Sequence, residues 1–469
     1  MLLENRLFES LSIGDTAEAI RLCTADDLYI FAAATGNHNP LHLPGQDGDG
    51  DGQAEALVPS AFAASLISAL LGTRLPGPGI VTLAQDYVFH GRAHAGEELV
   101  ASVTVTGLEK GDGAGVVTLD ASVTRRSDGA PILGGQVRVQ APKASYSVDG
   151  AQLPGLVVRR HRHFEALLAR AEPLPSLRTA VICAESAEAM SGALLALKHT
   201  IITPVFVGNP GRIAAVAKAL HADLDGIEII AAATPQEAAS RAVALVHEGR
   251  VDALMKGHLH TDDMLRPMVN SQTGLRVGRR LTHIFVMDVP GLDHPLLVTD
   301  AAINIAPDLA TKMDIVQNGI DLARSIGIAH PRVGVLSAVE TVNPAIPSSM
   351  DAALLSKMAE RGQITGGFVD GPLAMDNAVS MAAARTKGIT SEVAGRAEVL
   401  VVPGIDAGNM LAKQLAYISH AEAAGLVMGA KVPVILNSRS DSSMARLASC
   451  AVAAVHHARM QAEQRQDAS

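Results

Sequence analysis

The chain has 469 residues, a formal net charge of -10, 48% hydrophobic and 18% charged residues, and no Trp. That length exceeds what one hydrophobic core usually organises, so two or three domains are expected, and the composition excludes a disordered or fibrous chain. The acidic balance, without a long Lys/Arg run, excludes a basic field for nucleic acid, so anionic substrates need a few well-placed arginines.

The first fifteen residues, MLLENRLFESLSIGD, lack the basic-then-apolar order of a secretory signal, and no apolar run in the chain reaches membrane-spanning length. Cys23, Cys183 and Cys450 lie far apart and fit neither a disulfide framework nor a zinc knuckle. Reduced thiols in a cytoplasmic protein with no membrane partner are expected.

Residues 47–52, DGDGDG, begin like a calcium loop, but Val58 stands at the twelfth position, where such a loop needs a bidentate Glu. An acidic surface loop without metal is expected. Residues 61–72 read as an apolar helix, and 80–89, 98–108 and 115–124 as strands. Together they predict an antiparallel sheet wrapped on one helix. The glycine-rich 111–115 has no helix opening after it, so it reads as a hairpin turn rather than a dinucleotide loop.

The texture changes near residue 150. We divide the chain into a domain at 1–145, a linker at 146–163 that contains RRHRH, and a second domain at 164–469. In the second, short buried strands at 179–183, 204–207, 227–231, 253–255, 284–287, 332–336, 400–402 and 432–436 alternate with amphipathic helices such as 312–326. That alternation predicts a mainly parallel α/β sheet. His258, His260, His283 and His294 lack a Cys or carboxylate at ligand spacing, so no metal site is expected.

The chemistry-bearing words lie between Met255 and Asp441. Ser438-Arg439-Ser440-Asp441 follows a strand directly and places a hydroxyl, a guanidinium and a carboxylate at one strand exit. Arg binds phosphate oxygens through a planar fork and stays charged, a hydroxyl can hold an oxyanion, and a carboxylate can take a thiol proton. The words TDAAINIAPD, VDGPLAMD and DAGN add Asn304, Asp370 and Asp376 as substrate-facing candidates at strand ends.

With LRP at 265–267, LTHIFVMDVPG at 281–291, LSAVETVNPAIPSS at 336–349 and PGIDAGNMLAKQLAY at 403–417, this ordered series resembles the phosphate acetyltransferase and phosphate butyryltransferase family over nearly all of residues 160–460. The resemblance implies exchange of the thiol of an acyl-CoA for phosphate. Coenzyme A is then a substrate, no cofactor is bound permanently, and the protein is a homo-oligomer. It implies Ser438 and Arg439 as the active-site pair, with Arg439 on phosphate, and Arg266 as a further substrate arginine. The acetyl-transferring branch carries its catalytic Asp several residues beyond the pair, where Met444-Ala445-Arg446 stands here. Asp441 is the nearest carboxylate, as base or as helix cap, with Asp300, Asp370 and Asp376 next. The implied fold is that of isocitrate and isopropylmalate dehydrogenases, two α/β subdomains at about 164–280 plus 430–469 and about 281–429.

In the first domain, FAAATGNHNPLHL at 31–43 and LGTRLPGPG at 71–79 resemble MaoC-like enoyl-CoA hydratases of the hotdog fold. Their catalytic pair is Asp and His. Here His42 is present and Asn37 stands in the Asp position, and an amide cannot act as a base. A bifunctional hydratase and transferase, and a non-catalytic sensor of acyl-CoA, stay open as alternatives.

Overall fold

The structure, a computed structural model, describes residues 2–110, 115–149, 158, 161–438 and 441–467. It divides into two compact units, Met1–Val158 and Arg159–Ser469. Most of the hairpin turn expected at 111–115, most of the expected linker and Arg439 lie outside the described residues.

The first unit contains β1 (Leu2–Glu4), β2 (Thr16–Leu22), α1 (Ala25–Thr35), α2 (Ser60–Thr73), β3 (Val81–Phe89), β4 (Glu98–Glu109), β5 (Val116–Arg125), β6 (Pro131–Gln140) and β7 (Ser147–Asp149). Five of these strands form an antiparallel sheet in the order β2-β4-β5-β6-β3. Strand β4 alternates, burying Leu99, Ala101, Val103 and Val105, and that face closes on Ala63, Ile67, Leu70 and Leu71 of α2. The result is the hotdog arrangement of a sheet wrapped on one helix. Helix α1 opens on a Thr24–Asp27 capping box and stops at Gly36, whose φ of 72° is left-handed.

The second unit contains α3 (Arg162–Ala171), β8 (Leu177–Ile182), α4 (Ala187–Lys198), β9 (Ile202–Gly208), α5 (Pro210–Ala219), β10 (Glu228–Ala231), α6 (Pro235–His247), β11 (Ala253–Lys256), α7 (Thr261–Met268), β12 (Thr282–Asp288) and β13 (Leu296–Thr299). It continues with α8 (Leu309–Ser325), β14 (Arg332–Leu336), α9 (Pro347–Glu360), β15 (Phe368–Leu373), α10 (Met375–Val379), α11 (Met381–Thr386), β16 (Val399–Val401), α12 (Ile405–Tyr417), β17 (Glu422–Met428), β18 (Val434–Ile435) and α13 (Ser443–Asp467).

One eleven-stranded sheet runs in the order β10-β9-β8-β11-β18-β17-β12-β13-β16-β14-β15. Strands β8 to β11 and β18 are mutually parallel, as are β13 to β16, but the two groups run in opposite senses. The antiparallel pairs β18–β17, β17–β12 and β12–β13 make the reversal. Helix α13 packs on α3, α4 and β17 and is buried from Leu447 to Val455. Its Ala-rich middle lets neighbours approach on several sides, so an all-round apolar helix serves as core.

Candidate active site

Strands β11 and β18 are adjacent and parallel, pairing Leu254 with Val434 and Met255 with Ile435. Their C-terminal ends therefore emerge side by side, where open α/β sheets place ligands. Lys256 ends β11 and is only 4% exposed, and Leu436, Asn437 and Ser438 follow β18. Both exits open on a cavity of about 420 Å3, within the range of small-molecule sites. His260 and Thr261 at the start of α7 line it, and Asn409, Lys413 and Tyr417 of α12 form another wall. Leu259, Phe285, Ala412 and Ala423 give it an apolar surface as well.

The turn after β18 is held by its own polar groups. Asp441 Oδ2 accepts the Ser438 N–H at 2.8 Å and the Asn437 Nδ2–H at 3.2 Å. Asn437 Nδ2 also donates to Ser449 Oγ on α13, at 2.9 Å. Arg446 Nη2 donates to the Ser438 carbonyl at 2.8 Å. The Ser438 peptide is thus fixed at both of its polar ends. The helix cap is Ser442, whose Oγ accepts the Ala445 N–H at 3.1 Å, so Asp441 remains at the cavity wall.

The other sequence-derived candidates fall elsewhere. Arg266 is exposed in the last turn of α7. Asn304 donates from Nδ2 to the Leu281 carbonyl at 2.9 Å and to Asp300, whose other oxygen accepts the N–H groups of Ala302 and Ile303. That amide holds a turn, and Ala302 of the same turn reaches the cavity. Asp370 lies on β15 at the sheet edge, beside a separate cavity with Ser356, Glu360 and Glu392. Asp376 opens α10 and lies 3.6 Å from Lys387. His283 is buried on β12 with Nε2 3.4 Å from the Leu436 carbonyl, and burial pushes its pKa down.

The role of Arg446 escaped the sequence reading; a lone Arg in the apolar word MARLASCAV was its signal. In the acidic loop that the sequence marks, carboxylate oxygens of Asp47, Asp49, Asp51 and Glu55 all lie within 4.8 Å of one another. Glu55, ninth in the loop, folds back to accept the Gly48 N–H at 2.9 Å. Asp47 accepts the N–H groups of Gly50 and Gly52, which hold its carboxyl below the usual range.

In the first unit, Asn37 precedes the short 3-10 turn Pro40–His42, and His42 is its last residue. Asn37 Oδ1 accepts the Asn39 N–H at 3.3 Å, and His42 Nδ1 lies 2.9 Å from the Leu57 carbonyl. A carbonyl only accepts, so Nδ1 carries the proton and the neutral ring keeps its lone pair on Nε2.

A family model described as "Phosphate acetyl/butaryl transferase" matches residues 230–454. The phosphate acetyltransferase of Rhizobium meliloti is 54% identical over 296 residues, covering 63% of this chain and 93% of that protein. A branched-chain phosphotransacylase from Enterococcus faecalis, solved as a crystal structure, is 32% identical with a TM-score of 0.52, covering 60% of this chain and 99% of that one. The R-hydratase PhaJ1 of Pseudomonas aeruginosa is 27% identical with a TM-score of 0.31, over 34% of this chain and 99% of that one. Long identity over nearly the whole of a curated relative, at a sheet with a cavity at its parallel strand exits, places the chain in the phosphate acetyl/butyryl transferase family, and it is an acyltransferase.

Proposed function

We propose that the chain moves a short acyl group between coenzyme A and inorganic phosphate: acyl-CoA and phosphate give acyl phosphate and CoA. Acetyl is the first substrate, supported by the relative in Rhizobium meliloti, with propionyl and butyryl as longer ones. The observation that carries this reading is the cavity at the β11 and β18 exits. It combines cationic and hydroxyl groups with an apolar wall fit for a short acyl chain.

A phosphate oxygen attacks the thioester carbonyl, forming the new C–O bond and a tetrahedral oxyanion. Collapse breaks the C–S bond and CoA leaves as thiolate. In this scheme Arg439 forks onto phosphate, a role resting on the Ser-Arg word, and Ser438 holds the oxyanion. Arg266, exposed on α7 outside the cavity lining, is a further substrate arginine on the strength of the word LRP alone. In reverse, a thiol with a pKa of about 8.5 needs a base, and Asp441 serves through Oδ1 because Oδ2 is committed to the turn.

The two opposed halves of the large sheet support a division into one subdomain at 164–280 with 430–469 and another at 281–429, with the linker ahead of them and the hotdog domain at 1–145. The hotdog domain is a degenerate hydratase. Its edge strand β3 exposes Val81, Leu83, Val88 and Phe89, and such an edge needs covering, which supports a homo-oligomer. Among the described residues no helix is long and apolar enough to cross a membrane. Three buried free cysteines support a reducing, cytoplasmic setting.

The test mixes the full chain with CoA and acetyl, propionyl or butyryl phosphate and follows thioester formation by absorbance. Acetyl phosphate should give the highest kcat/KM. Absence of thioester with all three would leave the sensor reading in its place.

A further inference from the structure

Arg446, in the first turns of α13, is only 2% exposed. Its Nη2 holds the Ser438 carbonyl, while Nε and Nη1 are buried with no hydrogen-bond partner among the described residues. It makes no ion pair there either. The charges of Asp441 and Glu188 favour its charged form through space, but neither carboxylate forms an ion pair with it among the described residues. A guanidinium stays protonated in proteins, and a buried charge without an ion-pair partner is costly.

Its seat is built for it. Gly192 lies in the middle of α4, where glycine is destabilising relative to alanine. A Cβ at Gly192 would stand 2.6 Å from Arg446 Cδ and 2.7 Å from Arg446 Cβ. A side chain at 192 would meet the arginine, so glycine there leaves room for Arg446, one hydrogen bond away from Ser438 on the cavity wall.

We infer that Arg446 is a positioning residue of the phosphate site, which clamps the Ser438 peptide and keeps a buried positive charge under the cleft that the phosphate dianion compensates. The inference rests on the acyl-transfer reading above for its kinetics, and on anion binding alone for its second readout. An exposed arginine would be screened by water; this one is buried one hydrogen bond from the strand exit, where its field is less screened.

The test uses the full chain as Arg446→Gln, which keeps a donor for Ser438 and removes the charge, and Arg446→Lys, which keeps the charge. The Gln variant should raise KM for inorganic phosphate on the order of tenfold with KM for acetyl-CoA within about twofold, and Lys should recover most of the loss. In parallel, inorganic phosphate should raise Tm of the wild type and of the Lys variant but not of the Gln variant. A Gln variant with unchanged phosphate KM and an unchanged phosphate-induced Tm rise overturns the inference. So does equal loss of kcat in both variants without a change in phosphate KM. Should the Gln variant not fold, the Lys variant decides: loss of its phosphate-induced Tm rise overturns the inference, and retention supports it. Wild-type protein that binds phosphate without releasing CoA from acetyl-CoA would refute acyl transfer and leave the role of Arg446 in anion binding standing.

Discussion

Asp441 accepts the backbone N–H of Ser438 through one carboxylate oxygen, at 2.8 Å, and so the proposed base also shapes the turn that carries the proposed oxyanion donor. The two duties are separable by substitution. Asp441→Asn retains a carbonyl oxygen for the Ser438 N–H and removes basicity. It should slow thioester formation from CoA and acetyl phosphate while leaving Tm nearly unchanged. The defect should shrink as pH rises toward the thiol pKa of about 8.5, because more thiol ionises unaided. Asp441→Ala should also lower Tm and add a pH-independent loss to the same pH-dependent one, because the acceptor for Ser438 and Asn437 goes with the base. A pH-independent defect in the Asn variant would assign Asp441 to the turn alone.

The words that mark this site are legible because they concentrate polar residues at strand exits, as SRSD does after β18. Strand identity was less legible. In β17, EAAGLVM carries mostly helix-forming or small residues, and it becomes a strand because β12 pairs with it along its whole length and α13 covers it. In β15, FVDGPL contains Gly371 and Pro372, which argue against a central strand; its place at the sheet edge is what tolerates them. Helix 61–72 and the strands at 80–89, 98–108 and 115–124 were plain, since alternation and apolar runs there meet a single core, whereas β2 and β6 of the same sheet were not read. Arg446 was hidden for a different reason. An arginine between Ala445 and Leu447 reads as a solvated face until Gly192, far away in sequence, is seen to make room for it.

A buried histidine makes stability depend on pH. His456 on α13 is 8% exposed, and burial lowers its pKa from the ordinary 6.5 to about 4, against the opposing field of Asp321 and with help from His457 and Arg459. Its Nδ1 lies 2.9 Å from Ser325 Oγ. The folded state therefore holds fewer protons than the unfolded chain between these values. The stability this neutral ring contributes is whole above about pH 6.5 and is lost as pH falls toward the folded pKa, by about 3 kcal/mol in all. Urea midpoints should fall between pH 7 and pH 4, following the shift of this pKa, and His456→Gln should flatten that fall. An equal fall in the variant would assign the acid sensitivity to other groups, buried His283 first.

The hotdog unit offers a gain-of-function test. The Leu57 carbonyl fixes the proton of His42 on Nδ1, so Nε2 presents a lone pair, as a ring that activates water requires. Asn37, across the same short turn, offers an amide oxygen that bonds the Asn39 N–H and has no basicity of its own. Wild-type protein should therefore show little or no hydration of crotonyl-CoA, followed as loss of enoyl absorbance. Asn37→Asp is nearly isosteric and should raise that rate, and adding His42→Ala should abolish the gain. Phosphate-dependent acyl transfer, carried by the other unit, should be unchanged in all three proteins. Strong hydration by the wild type, lost on His42→Ala, would make the protein bifunctional as it stands. No hydration with Asp at 37 would mean that the pocket no longer admits an enoyl-CoA and that binding or assembly is what the unit retains.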